Sequence, residues 1–414
     1  MPASSALPAR SAPAEAPPPV ERPTLYRQSK TVLASATAVS AAAALLFNLM
    51  PALLVAAAAR FGLHENQIGL VGSSYLAGFA LVATTSNLWI DRFNWRRLVA
   101  GASALSVAGL ASCAAVGSYA VLLAALVIAG AGLGVLYTVC IAVVSEHHRP
   151  DQAFGFKLAG EVGLAIVALL ALTTFVTARW GFSGAVLTLA GMVGVATLCG
   201  LRGMPAGRAL TPPERRFAMQ RLAGGRSPVL RDWAPWLGLS ALFVAFAGLA
   251  ALWAFISELA PTFGVSPQAA DGVLTATLVV SGVAGLAAAF LGDKLGRAKP
   301  LAVGMLLAIA GVAALQWGQG LGAYLAGVVL AGGLWNFPMA YQMGMIASSD
   351  GRGNVAVLMP AALAVGGALG PMLAGSLLTG AHGFMPLYAL FAGAAAVSLA
   401  AFMVLGRRLA SGRP

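Results

Sequence analysis

Charge is scarce in this chain. Asp, Glu, Lys and Arg make up 9% of its 414 residues, where a soluble domain carries about 25%. Only three cysteines and four histidines occur. Cys113, Cys140 and Cys199 fall inside apolar runs at spacings that fit no metal site. We read them as small buried hydrophobes rather than disulfide partners. No His-Glu-x-x-His or Cys-x-x-Cys pair is present, so we expect no metal and no cofactor. A membrane-embedded enzyme would need a nucleophile–base set or metal ligands at depth, and none is visible, so we read the chain as a non-enzyme. The basic excess of +12 lacks the interleaved aromatics of a nucleic-acid face, which excludes that partner. The first thirty residues lack the apolar h-region of a signal peptide. Rich in Pro, Ala and Ser, they read as a disordered tail. No Asn-x-Ser/Thr site with x other than Pro occurs, which leans toward a bacterial source.

Apolar length is what the chain has in excess. It is 59% hydrophobic with 50 Gly. A soluble fold could not hide that much apolar surface, whereas lipid solvates it, and small residues let helices approach closely in a bilayer. A hydrocarbon core about 30 Å thick needs about 20 helical residues to cross. Runs of that length cover Val32–Ala59, Ile68–Trp89, Leu98–Val116, Ala120–Val144, Leu158–Ala178 and Gly184–Leu201. After a polar break come Trp233–Leu259, Gly272–Leu291, Leu301–Trp317, Ala323–Ala347, Asn354–Thr379 and Pro386–Leu405. With these twelve spans, every Lys and Arg except Arg60 and Arg179 falls on one side. That bias puts both termini in the cytoplasm of a multi-pass protein, which we assign to a bacterial inner membrane. Trp89, Trp95, Trp180, Trp233, Trp236 and Trp317 fall at or near span ends, as an interfacial aromatic belt requires.

The spans divide six and six. Ile90-Asp91-Arg92-Phe93-Asn94-Trp95-Arg96-Arg97 follows the second, and Gly292-Asp293-Lys294-Leu295-Gly296-Arg297-Ala298-Lys299 follows the eighth. Their acidic residues lie 202 apart (293 − 91), the offset that also relates Phe61-Gly62-Leu63 to Phe263-Gly264-Val265. The chain therefore reads as a tail (residues 1–30), a six-helix bundle (31–201), a basic linker (202–232), a second bundle (233–405) and a short tail (406–414). We read the linker as a solvated strand of charge lying against anionic headgroups. Duplicated membrane bundles are the architecture of secondary transporters, with the solute site between the repeats.

The loop after the second span resembles the signature of the major facilitator superfamily, Gly-x-x-x-Asp-Arg-x-Gly-Arg followed by basic residues. Asp91, Arg92, Arg96 and Arg97 match, while Asn87 and Asn94 replace the glycines and Trp95 one basic position. The copy after the eighth span keeps Asp293, Gly296, Arg297 and Lys299, with Lys294 in place of Arg. The resemblance implies an all-α membrane fold of twelve helices in two pseudo-symmetric six-helix bundles, with the first, fourth, seventh and tenth spans lining a central cavity. It also implies that these loops latch the halves on the cytoplasmic side: Asp91, Arg92, Arg96, Asp293 and Lys294, with Glu146, Arg149, Asp350 and Arg352 as duplicated partners. On residue chemistry alone, Asn94 can supply the left-handed conformation a glycine would give, and Asp91 can face a helix N-terminus.

Few polar groups lie at membrane depth. Glu161 in the fifth span is the most unusual, because a central acid costs about 2.5–3.5 kcal/mol on insertion scales. Lys157, four residues earlier, can pair with it on one helical face. Glu161 reads either as a protonatable coupling site or as half of an ion pair at the helix mouth. The cavity candidates are Asn48, Tyr75, Tyr137, Trp253, Trp335, Asn336, Tyr341 and Gln342. Pro338 is expected to break the tenth span. Gly130, Gly134, Gly366, Gly367 and Gly370 read as packing devices. No Arg or Lys is expected deep in the bundle, which favours a small neutral, weakly acidic or amphipathic organic solute, carried with a proton by a monomer. A multidrug/proton antiporter is the alternative. Such antiporters of the superfamily carry a Gly-Pro motif in the fifth span and an Arg in the fourth, where this chain has Gly160-Glu161 and Leu126. A non-transporting sensor built on a transporter fold is a further alternative.

Overall fold

The computed structural model describes residues 29–208, 232–351, 353–378 and 383–411. The N-terminal tail, most of the linker, Arg352 and His382 lie outside the described residues. Among those described, every regular element is helical. Eleven stretches are long and apolar enough to cross a membrane. One of them, Pro150–Leu201, is 52 residues long, about 78 Å as a straight helix and more than twice the lipid core. It breaks at Gly181, whose φ of 54° no other residue adopts cheaply. Twelve passes result, six on each side of the linker.

The duplicated Phe-Gly landmark has a structural reason. Gly62 and Gly264 both end a helix in the left-handed conformation, with φ of 62° and 66°, and the N–H groups of Gly62 and Leu63 close onto Ala58 O. Glycine at this position caps a helix without Cβ strain. The flanking aromatics then pack edge-on or tilted, Phe61 on Phe182 and Phe263 on Tyr324.

One sequence expectation is corrected. Asn94 is not left-handed: with φ −70° it caps the third span, its Oδ1 accepting the N–H groups of Arg96 and Arg97. A side-chain acceptor at a helix start outcompetes the left-handed turn. The tenth span, Gly320–Ser349, is interrupted at the 3-10 turn Gly333–Trp335. That turn is centred on Leu334, the residue four before Pro338, whose carbonyl Pro338 has no N–H to bond.

Within the first half the first span packs on the fifth and sixth, and the second and third pack on the fourth. Within the second half the seventh packs on the eleventh and twelfth, and the ninth on the tenth and twelfth. The halves meet where the fifth span crosses the eighth and tenth, and where the second crosses the eleventh. Small residues set the closest approaches. A Cβ on Gly78 would stand 2.1 Å from Val127 O, one on Gly130 2.1 Å from Tyr75 O, and one on Gly370 2.2 Å from Ala247 O. Large apolar side chains such as Val195, Leu198, Phe290 and Trp317 stay exposed on the outside, where lipid would cover them.

Gly130→Leu should force the second and fourth spans apart at a cost of about 1–3 kcal/mol. The check is a lowered Tm of the detergent-solubilised protein, with Gly101→Leu, whose Cβ meets open space, as control.

Candidate functional site

Glu161 does not sit at a helix mouth. It is 5% exposed, and Lys157 is fully buried. Both lie on one face of the fifth span at i, i+4, with Lys157 Nζ 2.5 Å from Glu161 Oε1. Two further helices complete the cluster. Ser40 of the first span donates its hydroxyl to the same Oε1. Tyr137 of the fourth span accepts from Lys157 Nζ at 2.8 Å and presents its ring face with the centroid 4.0 Å away. Tyr75 and Phe79 of the second span extend this aromatic wall to Tyr137. The expectation that no cation lies deep is therefore overturned. The i, i+4 carboxylate cancels the ammonium charge, which makes burial tolerable.

Gly160 explains how the fifth span reaches the first. A Cβ there would stand 2.3 Å from Thr37 Cγ2, so glycine alone lets Glu161 close onto Ser40, one turn further along. On its other side the same helix crosses into the second half, where a Cβ on Gly155 would stand 2.5 Å from Ala289 N. At its start Asp151, 2% exposed, accepts from Arg297 Nε of the second half at 2.7 Å.

The face that carries the basic loops holds the second cluster. Asp91 Oδ1 lies 2.5 Å from Arg208 Nε, and Glu146 Oε1 lies 4.0 Å from Arg208 Nη1. Arg208 Nη2 donates to Gly353 O of the second half at 3.0 Å. Ser86 Oγ donates to Val357 O across the same seam at 3.2 Å. Asp350 accepts the N–H groups of Val355 and Ala356 at 2.6 and 2.8 Å, which makes it the carboxylate at a helix start. Of the other loop residues, Arg96 Nε donates to Met204 O, and Arg149 donates its backbone N–H to the His147 ring. Arg92, Asp293 and Lys294 are exposed.

Two half-assemblies of six membrane helices are the plan of a known family. The family model described as Major Facilitator Superfamily matches residues 35–257, more than half of the chain. The chain belongs to that superfamily. Its fold is similar to the crystal structure of the superfamily transporter FucP in the outward conformation, at 17% identity and a TM-score of 0.71 over 90% of this chain and 97% of that one. A structure of the fucose:proton symporter FucP of E. coli superposes with a TM-score of 0.70 at the same identity and coverage. The proton:xylose symporter XylE bound to 6-bromo-6-deoxy-D-glucose superposes at 0.66, with 16% identity over 90% and 94% of the two chains. No curated protein matches the sequence.

Phe47 of the first span, Phe246 of the seventh and Trp335 of the tenth form a chain of rings with centroids 6.0 Å apart at each step, joining the two halves. Trp335 Nε1 donates to Met339 Sδ at 2.9 Å. Trp253 packs close to Gly332, where a Cβ would stand 2.9 Å from its ring. Asn48 turns back onto its own helix, donating to Ala44 O at 3.0 Å. Asn336 donates to Ser281 O of the eighth span. Gln342 faces Met305 and Ser398 inside the second half. Tyr341 is fully buried against Phe337, its hydroxyl unpaired among the described residues. Phe47, Ser40, Asp151 and Arg208 had escaped selection from the sequence as site residues, and Arg297 had been read only as a match to the loop signature. Asp151 carried a signal, an acid directly after the helix-starting Pro150. Ser40 is one small hydroxyl in an alanine-rich run, and only the fold brings it to Glu161.

Lys157→Met should destabilise the protein by about 3 kcal/mol, because it leaves Glu161 charged and unpaired. Lys157→Met with Glu161→Gln should recover most of that loss, as measured by chemical unfolding of the two variants and the double variant.

Proposed function

We propose that this superfamily transporter moves a small neutral, weakly acidic or amphipathic organic solute by alternating access between its two halves, coupled to protons at Glu161. The observation that carries the reading is the Glu161 cluster. A single carboxylate oxygen receives donors from the first span and from Lys157, which the fourth span holds from behind. Protonating it would release Ser40 and return Lys157 to Tyr137 alone, so proton occupancy and the packing of three helices are linked. Because the fifth span also carries Gly155 and Asp151 at the seam with the second half, a change at Glu161 acts on the element about which the halves would pivot. The charges of Lys157 and Glu161 cancel, so a neutral solute or a weak acid suits the interior. The Phe47–Phe246–Trp335 rings offer it an apolar wall. FucP and XylE are named as proton symporters of fucose and xylose, which agrees with proton coupling here at identities that carry only the fold.

The basic face is assigned to the cytoplasm on the positive-inside bias, with both termini there, the bacterial inner membrane as the setting and the monomer as the working unit. Asp91, Arg92, Arg96, Glu146, Arg149, Asp293, Lys294, Asp350 and Arg352 then form or flank the cytoplasmic gate. Asn48, Tyr75, Tyr137, Trp253, Trp335, Asn336, Tyr341 and Gln342 line or support the path.

A solute found by thermal-shift screening would be followed into proteoliposomes under an imposed pH gradient. Wild type should accumulate it against its gradient. Glu161→Gln should retain downhill exchange and lose gradient-driven accumulation by at least about tenfold; full dependence on the pH gradient in that variant would reject the coupling role.

A further inference from the structure

We propose that Arg208 is the bolt of the basic face: a cation delivered by the strap after the sixth span that fastens the first half to a glycine seat in the second. The proposal rests on the alternating-access reading above. Arg208 lies outside both duplicated loops, yet its side chain is only 7% exposed. Its guanidinium serves three segments at once: Nε on Asp91, Nη1 toward Glu146 and Nη2 on Gly353 O. A planar fork of donors can do this, and a lysine ammonium cannot reproduce it.

Both sides of the contact are built. The strap is anchored to the first half before it reaches Arg208. Trp95 N–H donates to Ala206 O at 2.9 Å, Arg96 Nε donates to Met204 O, and Met204 is fully buried. Gly203 passes so close to the first span that a Cβ would stand 2.1 Å from Ser35 Oγ. On the far side Gly353 has φ +69°, and a Cβ there would stand 2.2 Å from Arg208 Nη1. A side chain at that position would occupy the seat of the guanidinium. The turn holding Gly353 is itself fixed, its N–H on Asp350 O at 3.1 Å and the Asp350 carboxylate on Val355 and Ala356. Asp91 and Glu146 both belong to the first half. When the halves part, Arg208 can stay with its carboxylates, and its bond to Gly353 O must break.

The test reads conformation and needs no solute. Spin labels are placed at Phe93→Cys in the first half and Leu295→Cys in the second, both exposed on the basic face, in a Cys199→Ala background. Cys113 and Cys140 are buried. Distances are measured by double electron–electron resonance in lipid nanodiscs. Arg208→Gln and Gly353→Ala should each raise the population of wide distances at least about fivefold, with Arg208→Lys between them and the parent. Gly353→Ala leaves Arg208 on Asp91, so it keeps the test open where Arg208→Gln folds poorly. Arg297→Gln, which breaks the separate pair with Asp151, is the control. Wide distances in that variant but not in Arg208→Gln or Gly353→Ala would overturn the bolt and leave the pivoting of the halves intact. No change in any of the three would overturn the pivot itself.

Discussion

The Lys157–Glu161 pair is the constraint around which the interior of this transporter is arranged. A lone charge in a water-poor bundle costs several kcal/mol, and the pair is tolerable only while both members are present and hydrogen-bonded. That requirement fixes more than two residues. It demands a hydroxyl donor on the first span, met by Ser40, and an oxygen on the fourth, met by Tyr137. It also demands a first span close enough to reach, which Gly160 permits. Three helices are thus joined by one polar cluster in addition to their close packing, as interhelical hydrogen bonds do in a bilayer.

The fifth span is therefore more than one wall of its half. Along about 15 Å of helix it carries the seam contact at Asp151, the close crossing at Gly155 and the charge pair at Lys157 and Glu161. On the coupling proposed at Glu161, proton binding at one end and half-to-half contact at the other would be borne by a single stiff rod. A rod of this kind needs no relay of side chains to connect the two events. It needs only two positions, each compatible with one protonation state.

The fold was legible in the sequence because its signals are redundant. Twelve apolar runs, a basic bias to one face and an offset that aligns two landmarks each point to the same architecture. Gly62 and Gly264 then proved to be the physical cause of one landmark. The interior was legible only as far as helical periodicity reaches. Lys157 and Glu161 share a helix, so their contact could be read. Ser40 and Tyr137 meet them across 121 and 20 residues, and no local pattern announces such a meeting. Asn94 shows the opposite error, in which a residue with two legitimate uses was assigned the left-handed one, and the nearest helix start claimed it.

Duplication supplied the scaffold, and divergence between the copies supplied the chemistry. The positions that correspond to Lys157 and Glu161 at the offset of 202 are Met359 and Leu363, both buried and apolar. The buried charge pair thus has no twin. At the basic face Asp91 is engaged by Arg208, whereas its counterpart Asp293 is exposed and the neighbouring Arg297 turns instead to Asp151. The first half accordingly carries the buried Lys157–Glu161 pair, and across the seam its Asp151 meets the Arg297 guanidinium while its Arg208 and Ser86 meet the carbonyls of Gly353 and Val357. On the coupling proposed at Glu161, a proton would act on the first half, and the second would feel it through the fifth span that crosses into it.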